Sequence, residues 1–145
     1  MLVLTVNFKA SISDIVAGRS TGVARQYLVS DGHVGKSDEI VCLADTLSKT
    51  CEASFVEVKF ESRYSQREKR LEVVAKDGNR ITICKISNVK KFDKDSLEIN
   101  SVCQELSSLY GAYEFIPVVY LKVNDVSFYQ ESVNNMGLSV IIKKI

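Results

Sequence analysis

The chain has no tryptophan, one proline, one histidine and only seven glycines. With so little proline and no block of five like charges, nothing in it reads as disordered linker. A lone His33 and four cysteines without C-x-x-C spacing leave no zinc-site pattern. Beside two glycines and with no nucleophile paired to it by motif, His33 reads as a loop residue. A net charge of +1 lacks the strongly basic balance that would by itself point to nucleic acid. No apolar run approaches the roughly 18 residues a membrane helix needs. The N-terminus MLVLTVNFKAS alternates apolar and polar residues, unlike the continuous core of a signal peptide. With no export signal, Cys42, Cys51, Cys84 and Cys103 are expected as reduced, buried thiols in an intracellular setting.

What is present is ordered patterning. A chain of 145 residues can bury roughly 70% of its unfolded surface and is expected to fold as a single domain. Leu2, Leu4, Val6, Phe8, Ala10 and Ile12 share one face, so residues 2 to 12 read as a strand. Ser13 to Gly22 reads as loop, Val23 to Val29 as a second strand, and Ser30-Asp31-Gly32 as a turn. Ser37 is positioned to cap a helix from Asp38 to about Cys51, striped by Ile40, Leu43, Ala44, Leu47 and Cys51. Phe55 to Phe60, Leu71 to Ala75 and Ile81 to Ile86 read as an antiparallel meander, the last two joined at Asp77-Gly78. Asn88 to Lys94 reads as a basic exposed loop. Asp95 or Ser96 then caps a helix to about Tyr110, striped by Ile99, Val102, Cys103, Leu106 and Tyr110 and stopped at Gly111. Tyr113 to Val123 is a strand in which Pro117 implies an edge or a bulge. Phe128 to Met136 suits a short helix ended by Gly137, and Leu138 to Ile142 a last strand. The expected class is α+β: a mixed β-sheet with two main helices. Residues 1–36 form an N-terminal strand extension, 37–123 a core and 124–145 a C-terminal extension. Tyr64, Tyr110, Tyr113 and Tyr129 are expected half-buried.

From Ser37 to Val123 the order helix, three strands, helix, strand resembles the core of the restriction-endonuclease-like, PD-(D/E)xK superfamily. The string REKRLEVVAKDGNRITICKISNVKK, followed by a helix, Gly111 and AYEFIPVVYLKV, is similar to the middle of archaeal Holliday-junction resolvases. The resemblance implies a nucleic-acid-processing protein that hydrolyses phosphodiesters with one or two Mg²⁺ ions. The metal needs hard oxygen ligands, polarises the phosphate and lowers the pKa of the attacking water, while a lysine offsets developing charge. Carried over, the helix glutamate is Glu39 and the strand-leading aspartate is Glu72. The glutamate of Glu-x-Lys falls on Ile83, its lysine on Lys85, and a polar residue of the next helix on Gln104. The implied catalytic set is therefore Glu39, Glu72 and Lys85, with Glu39 and Glu72 as Mg²⁺ ligands and one carboxylate missing. An incomplete ligand set lowers rates by orders of magnitude, so binding of structured or branched DNA with weak or no cleavage is expected.

Other readings stay open. Glu57-x-Lys59 is an intact Glu-x-Lys on a strand, with Asp45 before it, although on the first strand of the meander. Such a pair is also ordinary cross-strand charge pairing. Glu39 also suits a helix dipole, and Glu72 and Lys85 suit a simple charge pair. Lys69, Arg70, Arg80, Lys90 and Lys91, with Lys85 and Lys94, cluster in sequence as candidate phosphate contacts. Glu68, Asp77, Asp93 and Asp95 interleave with them. A non-catalytic assembly subunit with a protein partner remains a further reading. No membrane partner is expected. Small nucleases of this type imply a homo- or hetero-oligomer, for which the apolar C-terminal strand from Leu138 to Ile145 is a candidate seam.

Overall fold

A computed structural model describes residues 2–19, 23–29 and 35–145. The turn at residues 30–32 and His33 lie outside them. The chain divides into two compact units, Met1–Gly78 and Asn79–Ile145. The α+β class with a mixed sheet holds: seven strands and four helices occupy the described residues, with parallel and antiparallel pairs among the strands.

The first unit comprises β1 (Leu2–Phe8), α1 (Ile12–Ala17), β2 (Val23–Val29), α2 (Lys36–Ser48), β3 (Ala53–Glu61) and β4 (Glu68–Asp77). Its strands lie in the order β2-β1-β3-β4. β1 runs antiparallel to β2 and parallel to β3, and β3 runs antiparallel to β4. β1 stops at Phe8, short of the expected Ile12, and the segment read as loop contains α1. Ile12, Ile15 and Val16 are spaced i, i+3, i+4 and buried. Ser11 Oγ accepts from the Asp14 N–H at 3.3 Å, and Gly18 closes the helix at φ +71°. Gly18, a loop signal in the sequence, is thus a C-terminal cap. Both α1 and α2 pack on β3. β3 buries Phe55 as well as Val56, Val58 and Phe60, although strict alternation would set Phe55 on the face of Glu57 and Lys59.

α2 begins one residue before Ser37, and its N-cap is Gly35, without a side-chain hydrogen bond. Its buried side combines Leu43 and Ala44 with Val41 and Asp38, so the stripe is rotated from the one expected. Ser54 Oγ donates to the Ala44 carbonyl at 2.6 Å and ties α2 to β3.

The second unit comprises β5 (Arg80–Ser87), α3 (Phe92–Leu109), β6 (Glu114–Leu121), α4 (Ser127–Asn135) and β7 (Ile141–Lys144). β5, β6 and β7 are parallel neighbours in that order. Pro117 therefore sits in a strand with partners on both sides, not at an edge. Pairing with β7 starts only at Val118, one residue beyond the proline, and a strand tolerates a missing N–H where a ladder has not begun.

α3 starts earlier than the sequence implied. Phe92 is buried in its first turn, while Asp95 and Ser96 lie inside the helix. Asn88 Oδ1 accepts the Lys91 N–H at 2.9 Å, and Asp95 instead accepts from Ser87 Oγ at 2.6 Å. Ile99, Val102, Cys103 and Leu106 of the expected stripe are buried, while Tyr110 caps the helix and is only half-buried. Ser96 is 0% exposed and its Oγ has no hydrogen-bond partner. An unsatisfied buried hydroxyl costs stability, so Ser96→Ala is expected to stabilise the protein by about 1 kcal/mol, read as a raised Tm. An unchanged or lowered Tm would mean that the hydroxyl is satisfied in solution.

Candidate functional site

Two rows of like charge cross β3 and β4. Val56↔Val73 and Val58↔Leu71 bracket Glu57 on β3 and Glu72 on β4. The rows are Lys59↔Arg70 and, two residues on, Glu61↔Glu68. Each row holds like charges directly opposite one another, an arrangement that lowers sheet stability. Attraction runs along the strand instead, as in Arg70 Nε to Glu68 Oε1 at 3.9 Å. Lys59 and Arg70 are exposed.

The two rival alignments of the sequence therefore converge. Glu57, from the intact Glu-x-Lys, and Glu72, from the superfamily alignment, lie on neighbouring strands and are bracketed by the same paired residues. On β1, Phe8↔Val56 and the bridge Ser11↔Lys59 bracket Lys9 and Glu57 in the same way. Lys9 (φ 59°) and Glu57 (φ 53°) both adopt the left-handed backbone region, which costs roughly 1–2 kcal/mol per non-glycine residue. Two matched left-handed residues on adjacent strands mark the point where β1 leaves the sheet for α1. No alternation pattern in the sequence signals such a feature.

Glu72 is half-buried, and Lys36 Nζ lies 2.9 Å from its Oε2. Lys36 and Glu39 are one helical turn apart (i, i+3), so the turn of α2 that carries Glu39 is the turn that reaches Glu72. Glu39 itself is half-buried. Sequence reasoning missed Lys36, whose signal was only a basic residue ahead of two acids at a helix start. Asp45 is engaged elsewhere, by Lys49 at 3.5 Å. Nearby on α2, Asp38 is buried and accepts from the Tyr27 hydroxyl at 2.9 Å. That hydrogen bond is the main reason the Tyr27 phenol titrates above its usual range. Burial, and then Asp38 and Asp45, push the Cys42 thiol up.

In the second unit, Lys85 is half-buried and pairs in register with Val119, while Ile83 is 1% exposed and pairs with Pro117. Gln104 is exposed on α3. Of the candidate phosphate contacts, Arg70, Arg80, Lys90 and Lys91 are exposed and Lys69 is half-buried. Arg80 lies 3.6 Å from Glu114, with both side chains 60% exposed, so the pair is weak and the guanidinium stays available. Tyr110, Tyr113 and Tyr129 are half-buried as expected, but Tyr64 is 77% exposed.

The donor set fits a resident Mg²⁺ poorly. Mg²⁺ favours near-octahedral oxygen coordination. Among the described residues no three carboxylate, imidazole or thiol side chains gather as a metal-ligand group. Lys36 already neutralises Glu72, and Ile83 offers no donor. Also among the described residues, no helix is long and apolar enough to cross a membrane. The fold and the charged rows define an α+β protein with a polar, striped sheet face. No protein-family model matches the chain, and no curated protein matches it in sequence.

Proposed function

We propose that this is a nuclease-fold, intracellular protein of nucleic-acid metabolism that binds structured or branched DNA and cleaves it weakly or not at all. The observation that carries the reading is the row Lys59↔Arg70: two exposed cations held directly opposite each other beside Glu72, itself neutralised by Lys36. Their repulsion costs stability in the unbound protein, and a phosphate placed between them would relieve it. Support also comes from the order of elements from α2 to β6, which is helix, three strands, helix, strand, with β5 and β6 parallel. Arg80, Lys90 and Lys91 would add backbone contacts.

Gel-shift titration with a four-way junction and with duplex DNA tests this. Binding is expected at low salt and should fall steeply as salt rises. Arg70→Ala is expected to weaken it and lower the salt slope by about one. Adding Mg²⁺ should produce little or no cleavage. No shift of either DNA at low salt would overturn the reading in favour of an assembly subunit that binds protein. Vigorous cleavage lost in Glu57→Ala but kept in Glu72→Ala would overturn the weak-cleavage part.

A further inference from the structure

Apart from Tyr64, the exposed large apolar side chains of the first unit gather at one edge. Leu2 (52%), Val3 (51%), Val23 (50%) and Leu28 (60%) all lie on the paired strands β1 and β2. β2 is the terminal strand of its unit, and five of its seven residues are exposed. Its sequence, VARQYLV, has no lysine and no proline, the residues that commonly discourage edge-to-edge pairing. The terminal strand of the second unit is protected differently. Gln130 Nε2 donates to the Val140 carbonyl at 2.9 Å and Gln130 Oε1 accepts the Ile142 N–H at 2.8 Å. Ile145 N–H donates to the Leu121 carbonyl, so on the C-terminal segment the Val140 carbonyl and the Ile142 N–H are already taken.

We propose that β2 is the seam of a homodimer, formed by antiparallel pairing of two copies about a two-fold axis at Gln26. This pairing is self-complementary. Val23 meets the second copy's Val29, Ala24 meets its Leu28, Arg25 meets its Tyr27, and the two Gln26 amides meet on the axis. Paired residues share a face, so Ala24 and Leu28 join Val3 in one apolar strip across the seam. On the other face Arg25, exposed and aligned with Val6, reaches Tyr27, whose hydroxyl is bonded to Asp38. A cation thus meets an aromatic ring with a carboxylate beside it. Pairing about Arg25 would instead oppose two arginines, so charge selects the register. An isologous contact of this kind closes as a dimer rather than growing into a fibre.

Sedimentation analysis without nucleic acid tests the seam separately from the DNA reading. Wild type is expected to move from 16.2 kDa towards twice that mass as concentration rises. Leu28→Lys, at an exposed position that leaves the monomer fold intact, should weaken the dimer at least about tenfold. Under mild oxidation Gln26→Cys should give a covalent dimer, while wild type and Thr5→Cys, away from the axis, should not. A monomer at every concentration would overturn the proposal. So would a dimer that is indifferent to Leu28→Lys and fails to cross-link through position 26.

Discussion

Ile83→Glu, which restores on paper the carboxylate of Glu-x-Lys, is expected to destabilise the protein by about 4–6 kcal/mol and to create no nuclease. Ile83 is 1% exposed, between Ile81 (0%) and the buried Cys84 on β5. Losing its burial costs about 2 kcal/mol, and a carboxylate placed there without a partner costs several more. That is a large part of a typical stability of about 5–15 kcal/mol. The buried carboxyl would escape the penalty by staying protonated, so its folded pKa would rise above the unfolded one. The variant should therefore be less destabilised at pH 5 than at pH 8 in urea titrations. Ile83→Val, by contrast, should cost only about 0.5–1.5 kcal/mol. An Ile83→Glu protein as stable as wild type at pH 8, with Mg²⁺-dependent cleavage, would show that the site is open and the fold an intact nuclease.

Stability is also expected to fall sharply in alkali. Cys103 is buried in the stripe of α3, and burial, helped by Cys84, pushes its thiol from 9.0 up to about 12. The folded pKa is the raised one, so the contribution is intact below about pH 9 and is lost as pH climbs towards 12. Three units correspond to roughly 4 kcal/mol once both states have ionised. Tyr27 and Cys42 are raised as well and act in the same direction. Urea midpoints at pH 8 and pH 10.5 measure the effect, and Cys103→Ala should flatten the slope between them. If Cys103→Ala leaves the slope unchanged, the thiol is not the group responsible. The same shift predicts that alkylating reagents reach the half-buried Cys42 and Cys51 before Cys103.

Side-chain period and one terminal glycine were legible in several elements. The α3 stripe, β2 and the short helix ended by Gly137 follow from side-chain spacing and one left-handed glycine. Legibility failed where local signals carry two meanings. Small polar residues and Gly18 read as loop but build and close α1. Asp95 reads as a cap but accepts from Ser87 within α3. β3 buries Ser54, Phe55 and Val56 in succession, so alternation could not place Phe55.

The candidate site divides in the same way. Composition and spacing alone determined the α+β class and the intact Glu-x-Lys at Glu57, while the superfamily resemblance supplied the candidates Glu39, Glu72 and Lys85 and the missing carboxylate at Ile83. Neither could determine that Lys36 reaches Glu72 or that Lys59 opposes Arg70. Those facts depend on strand register and on where a helix lands. Register is decided by which apolar face the whole sheet must bury, a quantity no stretch of sequence contains by itself.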